Sequence, residues 1–146
     1  MKTIRQVIKE KGSKIWSTTP ETQVFDALSL MAEMSIGALL VMEGQEIKGI
    51  FSERDYARKV ILKGKSSKDI LVREIMSTSV RFVTPDQTCE QALALMTDKK
   101  IRHLPVMQEG NLLGIVSIGD LVKAVVEDQK RTISKLEEYI LDTHPI

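Results

Sequence analysis

Two serines, each followed three residues later by an aspartate, are the side chains best spaced to do chemistry here: Ser52-Glu53-Arg54-Asp55 and Ser117-Ile118-Gly119-Asp120. Each quartet follows a glycine and two apolar residues, Gly49-Ile50-Phe51 and Gly114-Ile115-Val116, so each serine stands where a short strand gives way to a helix. Backbone amides left free at a helix start favour an anion, and a carboxylate beside them can accept a pair of hydroxyl donors. Ser-x-x-Asp is also close to a helix capping box, although Asp is shorter than the Glu or Gln that the box prefers. On these residues alone both readings stand, and one serine can serve both.

Other chemistries find little support. There is no Ser-His-Asp ordering, no glycine-rich loop of Walker type and no Cys/His metal cluster, and His103 and His144 are the only imidazoles. No catalytic residue, catalytic cofactor or metal ligand is therefore expected. The single cysteine, Cys89, excludes an internal disulfide and fits a reducing, cytoplasmic setting. It lies near a helix start, where a thiolate is favoured, but its counterpart in the repeat described next is Val24, which favours a small buried hydrophobe. The net charge of +1 predicts no nucleic-acid partner. No apolar run approaches the roughly 20 residues of a membrane span, and no secretory or transit pattern opens the chain.

The elements that must position the two quartets are duplicated. Residues 19–61 recur without a gap at 84–126: Thr19-Pro20 matches Thr84-Pro85, Leu30-Met31 matches Leu95-Met96, and Val41-Met42 matches Val106-Met107. Each copy is too short to bury more than a marginal core alone, so the two are expected to share an interface. In the first copy Val24, Ala27, Leu28, Met31 and Met34 predict a helix with Thr22 as its N-cap. Strands follow at 38–42 and 47–51, joined by a hairpin connection, then a helix from Ser52 to near Gly64. The second copy predicts the same order, with its last helix ending near Asp128. A short strand before each Thr-Pro, around Ile15-Trp16 and residues 80–83, would add a third to each sheet. Outside the copies, Ile4, Val7 and Ile8 share one helical face, and Ile133, Leu136 and Ile140 mark an amphipathic tail expected to dock on this protein or on a second copy.

With this duplication, the two Gly-x-x-Ser-x-x-Asp segments resemble the corresponding motif of cystathionine-β-synthase-type (CBS) domains, and residues 101–106 resemble that family's second-strand entry through Arg102, His103 and Pro105. The resemblance covers about residues 4–128. It implies an α/β (α+β) fold of two β-α-β-β-α repeats packed sheet to sheet with pseudo-twofold symmetry, a Bateman module. The expected ranges are 1–64 for the first repeat with its leading helix, 65–76 for the linker, 77–128 for the second repeat and 129–146 for the tail. It further implies a regulatory binder of AMP, or of ATP, ADP, NAD or NADH, that forms a homodimer and signals to an effector protein.

The resemblance assigns Asp55 and Asp120 to ribose hydroxyls and Ser52 and Ser117 to phosphate, with Glu53, Arg54, Ile118 and Gly119 completing the motifs. It places Arg102 and His103 near the sugar or phosphate, with Gly37 and Ala38 as their first-copy counterparts. Adenine is expected against residues 73–80 for the second copy, where Arg73, Thr78 and Val80 lie. Three extra residues between Ile8 and Pro20, relative to Met76 and Pro85, are expected to disturb the equivalent segment of the first copy, where Trp16 could stack on a base or simply fill the core. The rival reading is a structural dimerisation module without a ligand.

Overall fold

The computed structural model describes residues 1–12 and 14–143; His144 lies outside the described residues. Along the chain run α1 (Ile4–Lys11), β1 (Ser17–Thr18), α2 (Val24–Met34), β2 (Ala38–Glu43), β3 (Glu46–Ser52), α3 (Glu53–Lys59), α4 (Cys89–Lys99), β4 (His103–Gln108), β5 (Asn111–Ser117) and α5 (Ile118–Thr143). The expected mixed α/β repeat is present twice. β2 and β3 pair antiparallel, as do β4 and β5, with Ala38 opposite Ser52 and His103 opposite Ser117. Two-residue turns close both hairpins, with positive φ at Gly44 in one and at Glu109 and Gly110 in the other.

The chain divides into two compact units, and their membership departs from the expected ranges. Residues 15–80 form one unit; residues 1–14 join residues 81–146 in the other. The leading helix thus serves the second repeat, and the segment after the linker serves the first. Ile4 N–H donates to Gln87 O and Arg5 N–H to Pro85 O, while Cys89 N–H donates to Lys2 O. The other unit repeats the pattern: Val72 N–H to Thr22 O, Arg73 N–H to Pro20 O, and Val24 N–H to Ile70 O. Ile4 and Val7 are buried with Cys89, Met96, Leu104 and Val116, just as Val72 and Ile75 are buried with Val24, Met31, Leu39 and Phe51. Each buried aliphatic contributes about 1.5–3 kcal/mol, against about 1 kcal/mol net for a backbone hydrogen bond. Burial therefore holds each strap, and the three bonds set its register.

Lys2, itself buried, secures the leading strap by donating to Glu10 and to Glu127 Oε2 at 3.1 Å. The Glu127 hydrogen bond outweighs burial and raises the lysine's pKa, so the ammonium form is favoured. Cys89 is fully buried, and desolvation pushes its thiol up, the environment of a packed hydrophobe rather than a reactive thiolate.

Several local expectations shift. Thr22 does not cap α2: its hydroxyl faces that of Thr19 at 2.7 Å, and Gln23 occupies the N-cap position without a side-chain bond. The third strand is Ser17–Thr18, parallel to β2, whereas the second unit has only a bridge from Val83 to Val106. α3 ends at Lys59, before a 3-10 turn at Ile61–Lys63 and the left-handed Gly64. The tail is not a separate helix. Nothing in Gln129-Lys130-Arg131-Thr132 breaks a helix, and α5 continues unbroken for 26 residues.

The motif glycines have a packing reason that their spacing does not reveal. A Cβ on Gly49 would lie 2.7 Å from the backbone oxygen of Ser77, on the strap, where Ser77 and Ile50 exchange backbone hydrogen bonds. A Cβ on Gly114 would meet the Ile8 side chain, with only its Cδ1 methyl close, at 2.8 Å. Gly49→Ala is expected to destabilise by about 1–3 kcal/mol because a backbone must move, and Gly114→Ala by clearly less because a methyl can turn aside. Denaturant unfolding of the two variants compares them directly; equal losses would contradict this packing.

Candidate functional site

Both quartets fold into the same corner. Ser52 ends β3 and caps α3: its N–H donates to Asp55 Oδ2 at 2.9 Å, and Asp55 N–H returns a bond to Ser52 Oγ at 3.2 Å. Ser117 N–H likewise donates to Asp120 Oδ2 at 2.8 Å, and Asp120 N–H to Ser117 Oγ at 3.1 Å. The capping box is real in both, despite the short acid. A further bond ties each corner to the entry of the preceding strand, from Glu53 N–H to Gly37 O and from Ile118 N–H to Arg102 O. The amides of Ser52, Glu53 and Asp55 are thus engaged, as are those of Ser117, Ile118 and Asp120. Little of either helix start is left for an anion beyond the amides of Arg54 and Gly119.

Each carboxylate also meets a lysine that the sequence reading did not select. In the second unit Lys11 Nζ lies 2.6 Å from Asp120 Oδ2 and donates to Ile115 O at 2.9 Å. In the first, Lys59 Nζ lies 3.4 Å from Asp55 Oδ1 and donates to Ile75 O at 2.9 Å. These lysines are not equivalent in the repeat. Lys59 is one helical turn beyond its aspartate, where the second copy has Ala124; Lys11 comes from the extra turn of α1, where the other strap has only the 3-10 turn Val72–Glu74. The three extra residues therefore bear on the second copy's corner and not, as expected, on the first. The one signal in the sequence was that insertion itself.

The adenine-segment expectation is corrected in the same way. Residues 73–80 belong to the unit of Ser52 and Asp55, with Ser77 bridged to Ile50. Arg73 within it points elsewhere, its Nε 3.4 Å from Glu21 Oε1, and Thr78 and Val80 follow the bridge. Trp16 packs against the core of that unit. Around Asp55 the structure gathers Gly37, Ala38, Ser52, Glu53, Arg54 and Lys59; around Asp120 it gathers Arg102, His103, Ser117, Ile118, Gly119 and Lys11, with Pro105 buried along β4. An open cleft of about 150 Å³ beside Asp120 runs between α1 and α5, lined by Val7, Glu10, Lys11, Lys123, Ala124 and Glu127.

The corners remain partly open, with 17% of the Asp55 side chain and 26% of the Asp120 side chain exposed. Burial alone would raise the Asp120 pKa, but the Lys11 hydrogen bond, the Ser117 amide and the Lys11 charge together hold it below the usual carboxylate value. His103 is lowered by burial first and then by the nearby Lys11 charge. Arg54 is half-buried, Arg102 is exposed, and neither has a carboxylate within ion-pair distance among the described residues. Among the described residues no three His, Cys, Asp or Glu side chains are placed to hold a metal ion, and no helix is long and apolar enough to cross a membrane.

The CBS domain family profile matches residues 5–62 and again residues 72–127. A CBS-domain protein of Burkholderia ambifaria MC40-6 is 51% identical, superposes with a TM-score of 0.84, and covers 87% of this chain and 96% of its own. The mitochondrial CBS domain-containing protein CBSX3 of Arabidopsis thaliana is 43% identical over 148 residues, 94% of this chain and 71% of that protein. The CBS domain-containing protein YhcV of Bacillus subtilis (strain 168) is 34% identical over 109 residues, 75% of this chain and 77% of YhcV.

The electrostatics give a pH signature. His103 is held below its ordinary 6.5, so folding favours its neutral form; the contribution is complete above pH 6.5 and is lost as pH falls below that value. Asp120, also lowered, adds a second loss only as pH falls below 3.8. An NMR titration of His103 is expected to give a midpoint under 6.5 that rises in Lys11→Met, because a neighbouring cation is removed. A midpoint unmoved by that substitution would mean that Lys11 does not occupy this corner in solution.

Proposed function

The chain belongs to the CBS-domain family, and on that premise we propose that it is a regulatory module whose two corners bind an adenine nucleotide, AMP foremost, with ADP, ATP, NAD or NADH as the other candidates. Stand-alone CBS-domain proteins are typically regulatory, ligand-binding modules. One observation supports the nucleotide reading: each corner sets a partly open carboxylate beside an arginine that has no ion-pair partner among the described residues, Asp55 with Arg54 and Asp120 with Arg102. A carboxylate can accept both hydroxyls of a ribose, and an unneutralised guanidinium suits a phosphate. The lysines do not close the corners to such a ligand. Both are partly exposed, and an exposed ion pair is worth about 0–1 kcal/mol, so Lys11 or Lys59 can exchange its carboxylate for a phosphate at little cost.

Signalling then follows from occupancy: a nucleotide with different affinity for two arrangements of the module shifts their populations, and an effector protein reads the difference. The Burkholderia relative is named for signal transduction, in keeping with such a role. Homodimerisation is part of the proposal. A CBS-CP12 protein from bloom-forming cyanobacteria, 26% identical over 97% of this chain with a TM-score of 0.74, is described as hexameric. The lone buried cysteine suits a reducing interior, the cytoplasm or, as in the name of the Arabidopsis relative, a mitochondrion.

The ligand-free structural module remains the second reading because the capping boxes already use most of the polar groups that would greet a ligand. Calorimetric titration with AMP, ADP, ATP, NAD and NADH separates the two. Binding of at least one is expected, weakened about tenfold or more in Asp55→Ala or Asp120→Ala through loss of charge-assisted hydrogen bonds. Each variant also loses the bond from the serine N–H, worth about 1 kcal/mol, so thermal unfolding must show that it is still folded at the titration temperature. No heat with any of the five, at concentrations well above cellular levels, would leave the structural module as the function.

A further inference from the structure

Docking of α5 on its own unit ends at Glu127 and Asp128, which meet Lys2 and the N-terminal amine. The helix nevertheless continues through residues 129–143, about four more turns. Every side chain from 129 to 141 is exposed, so this stripe does not dock on the described residues of its own unit. Ile133, Leu136 and Ile140 are 54%, 57% and 56% exposed, and Val122 and Val126 continue the same line toward the helix start. The spacing of Val122, Val126, Gln129, Ile133, Leu136 and Ile140 alternates four and three residues throughout, which is the narrow seam of a two-helix coiled coil rather than the broad face that packs on a globular core. An isolated helix of some 12–15 residues is marginal in water, so this half of α5 gains from a cover.

Its charges say what the cover is. Lys130, Arg131 and Lys135 occupy the first part of the exposed half; Glu137 and Glu138 occupy the second. A second copy laid parallel would set base against base and acid against acid. Laid antiparallel, it sets Lys130 and Arg131 against Glu137 and Glu138 of the other copy, with Lys135 near the centre, and opposes the two helix dipoles favourably. The blocks are also too mixed in sign for an anionic membrane surface. We propose that the C-terminal half of α5 is a contact surface between two copies of this chain, paired antiparallel along the seam of Val126, Ile133, Leu136 and Ile140. Ile133 of each copy then packs beside Leu136 of the other, and Gln129 beside Ile140. The proposal is independent of whether the corners hold a nucleotide.

Sedimentation equilibrium on the full chain tests it with two charge-reversed variants, Lys130→Glu/Arg131→Glu and Glu137→Lys/Glu138→Lys. Each variant alone is expected to self-associate about tenfold or more weakly, because every favourable pair becomes a repulsion, and an equimolar mixture is expected to recover association. Orientation is read by cross-linking: chains with Gln129→Cys and chains with Ile140→Cys form a mixed disulfide when combined, whereas Gln129→Cys alone forms none through this seam. A chain that stays monomeric, an assembly indifferent to both reversals, ready cross-linking of Gln129→Cys to itself, or a monomer that binds anionic vesicles through this helix overturns the proposal.

Discussion

Everything in this molecule depends on a short strap of chain that completes a repeat other than the one it precedes. Ile4 and Val7 enter the core built by Cys89, Met96 and Leu104; Val72 and Ile75 enter the core built by Val24, Met31 and Leu39. A repeat of about 60 residues buries too little apolar surface to be comfortably stable, and two more buried aliphatics are a large fraction of a marginal balance. The same three backbone bonds anchor both straps. The units therefore do not coincide with the family match at 5–62 and 72–127: one runs over residues 15–80, and the other joins residues 1–14 to residues 81–146. The repeat of sequence and the unit of packing are different objects.

That difference builds the candidate site. The straps cross beside the motif glycines, with Ser77 against Gly49 and Ile8 against Gly114, so the strap backbone requires glycine at position 49 whether or not a ligand ever arrives. They also set the charge at each corner. α1 is long enough to deliver Lys11 to Asp120, while the other strap offers only the Ile75 carbonyl, which Lys59 bridges to Asp55. The same arrangement of carboxylate, ammonium and carbonyl thus arises from lysines with no relation in the repeat. The aspartates themselves do two jobs compatibly, since each accepts its serine's N–H at Oδ2 and the carboxylate still reaches solvent.

The fold was legible because its signals are local. The strand pairs carry β-branched and aliphatic runs around a two-residue turn, and the duplication let each copy check the other. The strand-to-helix corners at Ser52 and Ser117 were legible for the same reason. What escaped was long-range. Ile4-Arg5-Gln6-Val7-Ile8 and Val72-Arg73-Glu74-Ile75-Met76 have the same pattern, so nothing in either says which repeat it fills, and adjacency in sequence gave the wrong partner. Lys11 was invisible on that account, and the asymmetry caused by the three extra residues fell on the wrong corner. The continuity of α5 was missed for a different reason. Its polar stretch at 129–132 looks like a boundary, yet each of those residues is tolerated within a helix.

The two corners would respond differently to the same ligand. Lys59 sits on α3, the helix that its own aspartate caps, so exchanging Asp55 for a phosphate rearranges one side chain within one element apart from its bond to the Ile75 carbonyl. Lys11 sits at the end of α1, which is held to the second unit by Lys2, by the buried Ile4 and Val7, and by this contact with Asp120 and Ile115. A ligand that drew Lys11 away would act on the last turn of a strap, which Glu10 bonded to Lys2 and Ile8 beside Gly114 also hold. A ligand moves an equilibrium only by its differential affinity for two states. Under the nucleotide reading, the second corner is therefore where binding has a backbone element within reach to move, and the first is where it has chiefly a side chain.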